Sequence, residues 1–184
     1  MNMKKFLPVI FISLLVVSCA STPSATDSFD GLWTKRECAQ IASDFVLTLD
    51  ESSFSEDFFR SHGQTPVVAV GFISTVGDFE PDAAQFASYL ASEARRAKSF
   101  TLELYEKKVF ASDTDARVWA VDNGVDFLIC GCIETRVEEK ENARPVRRYV
   151  VSVSVLDLAN DFISVYDWTD SHLAKAIRRI TVTQ

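Results

Sequence analysis

The amino-acid sequence predicts an α/β fold: a single domain in which a mixed β-sheet of about five strands carries helices packed on it. Three observations lead there. Residues Gly124 to Val137 read GVDFLICGCIETRV, and the seven from Phe127 to Ile133 carry no charge. Such a run, opened by Asn123-Gly124 and closed by charges, has the signature of a strand buried on both faces. Apolar strand-length runs then alternate with helix-period stretches between Val67 and Ile133, which implies right-handed parallel crossovers. Finally, the last three strand patterns follow one another without an intervening helix, as in an antiparallel meander. A mixed sheet with helices on it satisfies all three.

The chain has 184 residues, 47% hydrophobic and 24% charged, an ordinary composition for one domain. Its first 18 residues read as a lipoprotein signal peptide. Lys4 and Lys5 form a short cationic region, and Phe6 to Val17 is an apolar core too short to span a bilayer. The core closes with Leu15-Val16-Val17-Ser18-Cys19. That sequence resembles a bacterial lipobox, with cleavage before Cys19 by signal peptidase II and lipidation of its thiol and amine. Several acyl chains hold a protein on a membrane stably where one does not. Ala20, where enteric bacteria place Asp to retain a lipoprotein at the inner membrane, points to the outer membrane.

Residues 19–30 then form the lipidated Cys and a short flexible tether; Ala20 to Asp30 (ASTPSATDSFD) is small and polar. Extended, its eleven residues reach about 37 Å at most, and as a coil they average about 18 Å. Without the signal peptide the chain holds 17 basic against 26 acidic residues. That balance argues against a nucleic-acid partner, which needs clustered cations, and against a polybasic grip on anionic lipid.

The globular domain occupies residues 31–184. Gly31-Leu32-Trp33 enters a first helix near Glu37 to Leu49, with Cys38, Ile41, Ala42, Phe45 and Leu49 on one face. Ser52 or Ser53 caps a second, short helix carrying Phe54, Phe58 and Phe59, which ends at His62-Gly63. Val67 to Ile73 is a strand of the sheet interior, and Gly77 marks a turn. Glu80-Pro81-Asp82 opens a helix with acids at its N-terminus, where the helix dipole favours them. Ala83, Phe86, Leu90, Ala94 and Ala97 are its buried stripe. In Phe100 to Tyr105, Phe100, Leu102 and Leu104 point inward and Thr101, Glu103 and Tyr105 outward, as on a peripheral strand.

A third long helix runs from Asp115 to Asn123 and stops at Gly124. In the central strand, Gly131 marks a place where a neighbour packs close against backbone. Glu138 to Arg148 (EEKENARPVRR) links it to a strand at Tyr149 to Leu158, with Tyr149, Val151, Val153 and Val155 on one face. Ala159-Asn160-Asp161 turns into a last strand, Phe162 to Trp168. Asp170 or Ser171 caps a final helix that buries Leu173, Ala176, Ile177 and Ile180 and covers Phe162, Tyr166 and Trp168.

The residues able to carry chemistry are few. Cys130 and Cys132 share one strand face and are poorly placed to bridge each other. They read as small buried apolar residues; the competing readings are a bridge from Cys38 to one of them, or a metal held with Cys38 and a histidine. His62 and His172 read as helix-end residues. Asp113 and Asp115 read as the charged start of the third long helix, with an acid–base pair as the alternative. No nucleotide loop, zinc motif or Ser-His-Asp order appears, so no catalytic residue, cofactor or metal is assigned. The Glu138 to Arg148 link reads as a solvated hairpin with cross-strand ion pairs, or as a partner-docking loop.

Several segments in order carry a resemblance: Gly31-Leu32-Trp33 with Glu37; Gly63 before Pro66-Val67-Val68-Ala69-Val70-Gly71; Gly124-Val125-Asp126-Phe127-Leu128 with Gly131 and Ile133; Tyr149-Val150-Val151 with Leu156 and Leu158; and Lys175 with Arg178-Arg179. In these the chain resembles the LpoB-like penicillin-binding protein activators, a lipoprotein family whose domain is related in shape to the TolB N-terminal domain. The resemblance spans about Gly31 to Ile180. It implies an outer-membrane lipoprotein, its body in the periplasm, that docks onto a class A penicillin-binding protein and stimulates peptidoglycan synthesis. No partner-binding residue transfers with it. The tether departs from the long disordered arm of the best-known member, so the partner would have to span the gap. A structural or assembly lipoprotein of the envelope with the same fold, not touching a synthase, is the alternative.

Overall fold

A computed structural model describes residues 32–105, 110–139 and 145–176. Cys19, the tether, Glu141, Arg144 and Ile177 to Ile180 lie outside these. The elements are α1 (Lys35–Asp50), α2 (Phe54–His62), β1 (Val67–Gly77), α3 (Ala83–Ala94), β2 (Thr101–Glu103), α4 (Asp113–Asp122), β3 (Phe127–Glu138), β4 (Val146–Asp157), β5 (Ile163–Asp170) and β6 (Ala174–Ala176). They build one open mixed sheet in the order β2-β1-β3-β4-β5, with β6 also on β4. β1 runs parallel to both β2 and β3, whereas β3, β4 and β5 form the antiparallel meander.

β3 is the central strand, as its charge-free run predicts. Phe127, Leu128, Ile129 and Ile133 are buried. One face of the sheet packs beneath α1, α2 and α3, with Phe45, Phe86 and Leu90 meeting Ile129, Ile133, Val151 and Val153. The other face is covered only in part. There Ala116 and Ala120 of α4 pack on Ala69 and Leu128, with Phe110 and Val125. Beyond Leu128 this second face opens, so Cys130 and Cys132 are half-buried rather than enclosed. Double burial therefore holds for the first part of β3 only, because α4 is ten residues long and reaches no further.

Two glycines explain how the strands come together. A Cβ on Gly131 would lie 2.9 Å from the Ser152 carbonyl oxygen and 3.2 Å from Ile73 Cδ1, the close approach expected at that residue. Gly71 lies where the β1–β3 register shifts between Val70 and Ile73. A Cβ there would meet Leu128 Cγ at 2.8 Å and Cys130 Sγ at 2.9 Å. This bulge is why Val68, Val70 and Ile73 all reach the three-helix side although their spacing is not strictly two.

Three expectations are corrected. Among the described residues no helix begins after Asp170: residues 174–176 form β6 on β4. The side chain of Asp170 instead accepts the His172 N–H at 2.7 Å in a short turn, and Tyr149 N–H donates to the Leu173 carbonyl at 2.9 Å. β5 stops short of the first residues of β4, and their unpaired backbone groups outweigh the local helical period. Leu104, expected inward, is 41% exposed, since β2 is only three residues long and ends before it. Tyr105, expected outward, instead stacks on Phe110 at 3.9 Å and meets Trp119 edge-on.

Candidate docking surface

The chain enters the domain through a clamp. Trp33 stacks on Tyr149 with ring centroids 5.3 Å apart and planes 5° apart, and the Trp33 backbone N–H donates to the Tyr149 hydroxyl at 3.1 Å. Thr34 then caps α1 in a reciprocal box: its hydroxyl accepts the Glu37 N–H while the Glu37 carboxylate accepts the Thr34 N–H at 2.6 Å. Lys175 of β6 reaches the same carboxylate at 2.9 Å. Burial alone would raise the Glu37 pKa, but the Thr34 N–H, Lys175 and the Thr34 hydroxyl outweigh it and hold the carboxyl below its ordinary value. Such a group adds stability above its unfolded-state pKa and loses it as pH falls through the lower, folded value. Glu37→Gln should therefore lower the urea midpoint at pH 7, and the gap to wild type should close as pH drops below about 4.5. A gap that widens in acid contradicts this.

The charged link contains one cross-strand ion pair of the kind predicted for it, and a second pair to the body. Arg148 grips Glu138 with two bonds, of 2.7 and 3.0 Å, and Arg147 meets Asp78 at 3.1 Å while lying over the Phe79 ring. In the described residues it is thus a hairpin tied to the body.

The thiols lie on opposite sides of the sheet. Cys38 is buried under α1 in the three-helix core, whereas Cys130 packs on the α4 side. All three described cysteines are free, and no bridge from Cys38 is placed to form. Burial, then the neighbouring carboxylate of Asp82, pushes the Cys38 thiol up to about 12; burial, then Asp113, does the same for Cys130. Both are poor nucleophiles and poor metal ligands near neutral pH. Among the described residues, no group of three His, Cys, Asp or Glu is placed to hold a metal ion. With native protein at pH 8, maleimide should leave Cys38 unmodified and label it within minutes in denaturant. Mass mapping that finds native labelling at Cys38 would refute the burial.

The remaining candidates disperse. His62 closes α2 with Nδ1 3.1 Å from the Phe58 carbonyl, stacked on the Phe58 ring. His172 is not at a helix end; it sits beside Asp170 between β5 and β6. Asp113 and Asp115 occupy the first turn of α4 behind the Ser112 cap, and Asp113 bonds Arg117 at 2.6 Å. The aromatic alternation in β5 also resolves differently from its prediction. Tyr166 and Trp168 pack against Phe45 of α1, at 6.3 and 5.7 Å, so α1 is their cover. Phe162 lies in the turn before β5.

No protein-family model and no curated protein matches the chain. Solved structures of similar shape exist. The LpoB C-terminal domain from Escherichia coli is 11% identical, with 65% of this chain and 92% of that one covered at a TM-score of 0.44. A lipoprotein from Neisseria meningitidis is 11% identical over 60% and 83%, also at 0.44. A PelC dodecamer from Paraburkholderia phytofirmans is 20% identical over 60% and 73%, at 0.40. No helix among the described residues is long and apolar enough to cross a membrane.

Among the described residues, two surfaces carry no covering element. One is the β4–β5 part of the α4 side, rich in hydroxyls. Ser152 faces Thr169 at 3.3 Å, and Ser154 and Ser164 donate to Asp167 at 2.6 and 2.8 Å. Those two hydroxyls hold the Asp167 carboxyl below its ordinary value. The other is the outer side of α4, which sequence reasoning missed. Val118 and Val121 are 57% and 58% exposed and line a groove of about 410 Å³ with Thr114, Arg117, Asp122 and Phe162. Within α4 only Ala116 and Ala120 are fully buried, so the helix keeps larger apolar residues on its far side.

Proposed function

We propose that this chain is a lipid-anchored periplasmic protein that binds and regulates a class A penicillin-binding protein in peptidoglycan synthesis. The observation that carries the reading is the clamp at Trp33. It makes the body one rigid piece from the first described residues, so a lipid on Cys19 would hold a shaped binding surface beside the membrane. The lipobox-like Leu15 to Cys19 and the ordered resemblance to LpoB-like activators support it. The short tether requires the synthase to bring its own periplasmic part to the body.

The test is direct. Adding the purified full chain to a class A penicillin-binding protein should raise glycan polymerisation several-fold, and cross-linking in cells should recover the synthase. Recovery of outer-membrane assembly components without the synthase, with no change in polymerisation, would instead favour an envelope assembly role. Cys19→Ala should release the protein from the membrane fraction; a variant that stays bound refutes the anchor.

A further inference from the structure

A pocket of about 360 Å³ lies between α2 and the end of the sheet where β3 begins and β4 finishes. That volume falls within the roughly 300–1,000 Å³ that small-molecule sites occupy. Much of the lining is aromatic. Phe54 and Phe127 meet edge to face with centroids 5.3 Å apart, and Phe58 meets Phe127 in the same manner at 5.2 Å. Tyr166 of β5 supplies a fourth ring, and His62 stacks on Phe58 at 4.1 Å. Phe54 and Phe127 are buried, whereas Phe58 and Tyr166 keep part of their surface open to the pocket. The Ser53 hydroxyl also lines it and makes no capping bond to α2, so it is left to serve a ligand.

Charge selects the occupant. Two carboxylates, Asp57 of α2 and Asp157 at the end of β4, line the pocket, and no lysine or arginine does. Arg60 pairs with Asp57 at 2.8 Å from outside the lining, but its side chain is 73% exposed and such a pair is weak. Asp157 accepts the Ala159 and Asn160 N–H groups at 2.9 and 3.3 Å and an Asn160 side-chain N–H, all uncharged donors. Even counting Arg60, the balance is negative. Both ends of α2 line the pocket, so the helix dipole favours neither sign there. An anion would face two like charges. A neutral apolar ligand would strip water from both carboxylates and return nothing. A cation with an apolar stem satisfies both parts of the lining, since ring faces attract cations and the carboxylate and hydroxyl oxygens accept N–H groups. Among the described residues no group of three His, Cys, Asp or Glu could hold a metal ion, so the cation that fits is organic.

We propose that this pocket binds an organic ammonium group on a short apolar stem, with the charge against Asp57 and Asp157 and the stem over the rings of Phe58 and Tyr166. The inference goes beyond the synthase-binding reading and does not rest on it, so either can fail alone.

The experiment follows NMR shifts of the purified full chain as pentylammonium is added at neutral pH and low salt. Saturating shifts are expected at Phe58, His62 and Tyr166. Pentan-1-ol and pentanoate, with similar stems but no positive charge, should bind at least about tenfold more weakly. This comparison needs no variant. Asp57→Asn and Asp157→Asn together keep the shape and an acceptor oxygen at each place; they should weaken pentylammonium at least about tenfold, with an unaltered thermal midpoint as the check on folding. A second probe, Nα-acetyl-lysine amide, separates the sources of the group. Binding of both probes supports the site and admits a lysine side chain of a polypeptide. Binding of pentylammonium alone supports the site for a free amine. Equal response to pentan-1-ol, shifts that do not saturate or that centre elsewhere, or undiminished affinity in the folded double variant overturns the inference.

Discussion

Tyr149→Ala should be among the most destabilising single substitutions in this domain, costing about 4 kcal/mol. Tyr149 is 0% exposed and is the largest fully buried side chain among the described residues. Its ring supports Trp33, and its hydroxyl accepts the Trp33 N–H, so truncation opens a core cavity and unfastens the chain entry together. Tyr149→Phe keeps the ring and loses the acceptor, for about 1 kcal/mol. Urea unfolding of the two variants separates cavity from hydrogen bond. Equal midpoints for Ala and Phe would mean that ring packing contributes little, against this account. The alanine variant should also expose the 33–34 linkage to protease before global unfolding, while Phe should not.

Gly77→Ala should cost about 3 kcal/mol although it adds one methyl group at the end of β1. Gly77 has φ of 124°, a conformation that L residues rarely adopt. A Cβ there would also run into the Thr135 carbonyl. Thr135 cannot give way freely, because its hydroxyl donates to the Phe79 carbonyl at 2.6 Å and accepts the Phe79 N–H at 3.1 Å. The substitution pushes β1 away from β3 at the end of the central pairing. Gly63→Ala makes the comparison: it also has positive φ, 71°, but a Cβ there meets nothing within 4 Å. It should therefore cost only the conformational part, about 1 kcal/mol. Equal losses at the two positions would show that steric contact with Thr135 plays no part.

Much of the fold is legible in the residues. The charge-free run from Phe127 to Ile133, the alternation of Tyr149 to Val155, and the stop at Gly63 each follow from local spacing and turn chemistry. The candidate surface is less legible. Val118 and Val121 become conspicuous only when α4 is seen to bury its alanines, and Phe162 only when the turn swings it out of β5 towards Arg117. A sequence window holds neither relation, since Arg117 and Phe162 are far apart in the chain.

The residues themselves determined the alternation of helices and strands as far as β5, the identity of the central strand and the acidic character of the body, because these depend on side chains close in sequence. Tertiary structure alone decided that Ala174 to Ala176 completes β4 as a strand, that Cys38 and Cys130 sit on opposite sides of the sheet, and that α1 rather than a last helix covers Tyr166 and Trp168. The physical reason is common to all three. Pairing an open strand edge and covering an apolar sheet face are satisfied by whichever segment the assembled sheet brings within reach, and local periodicity carries no record of that choice.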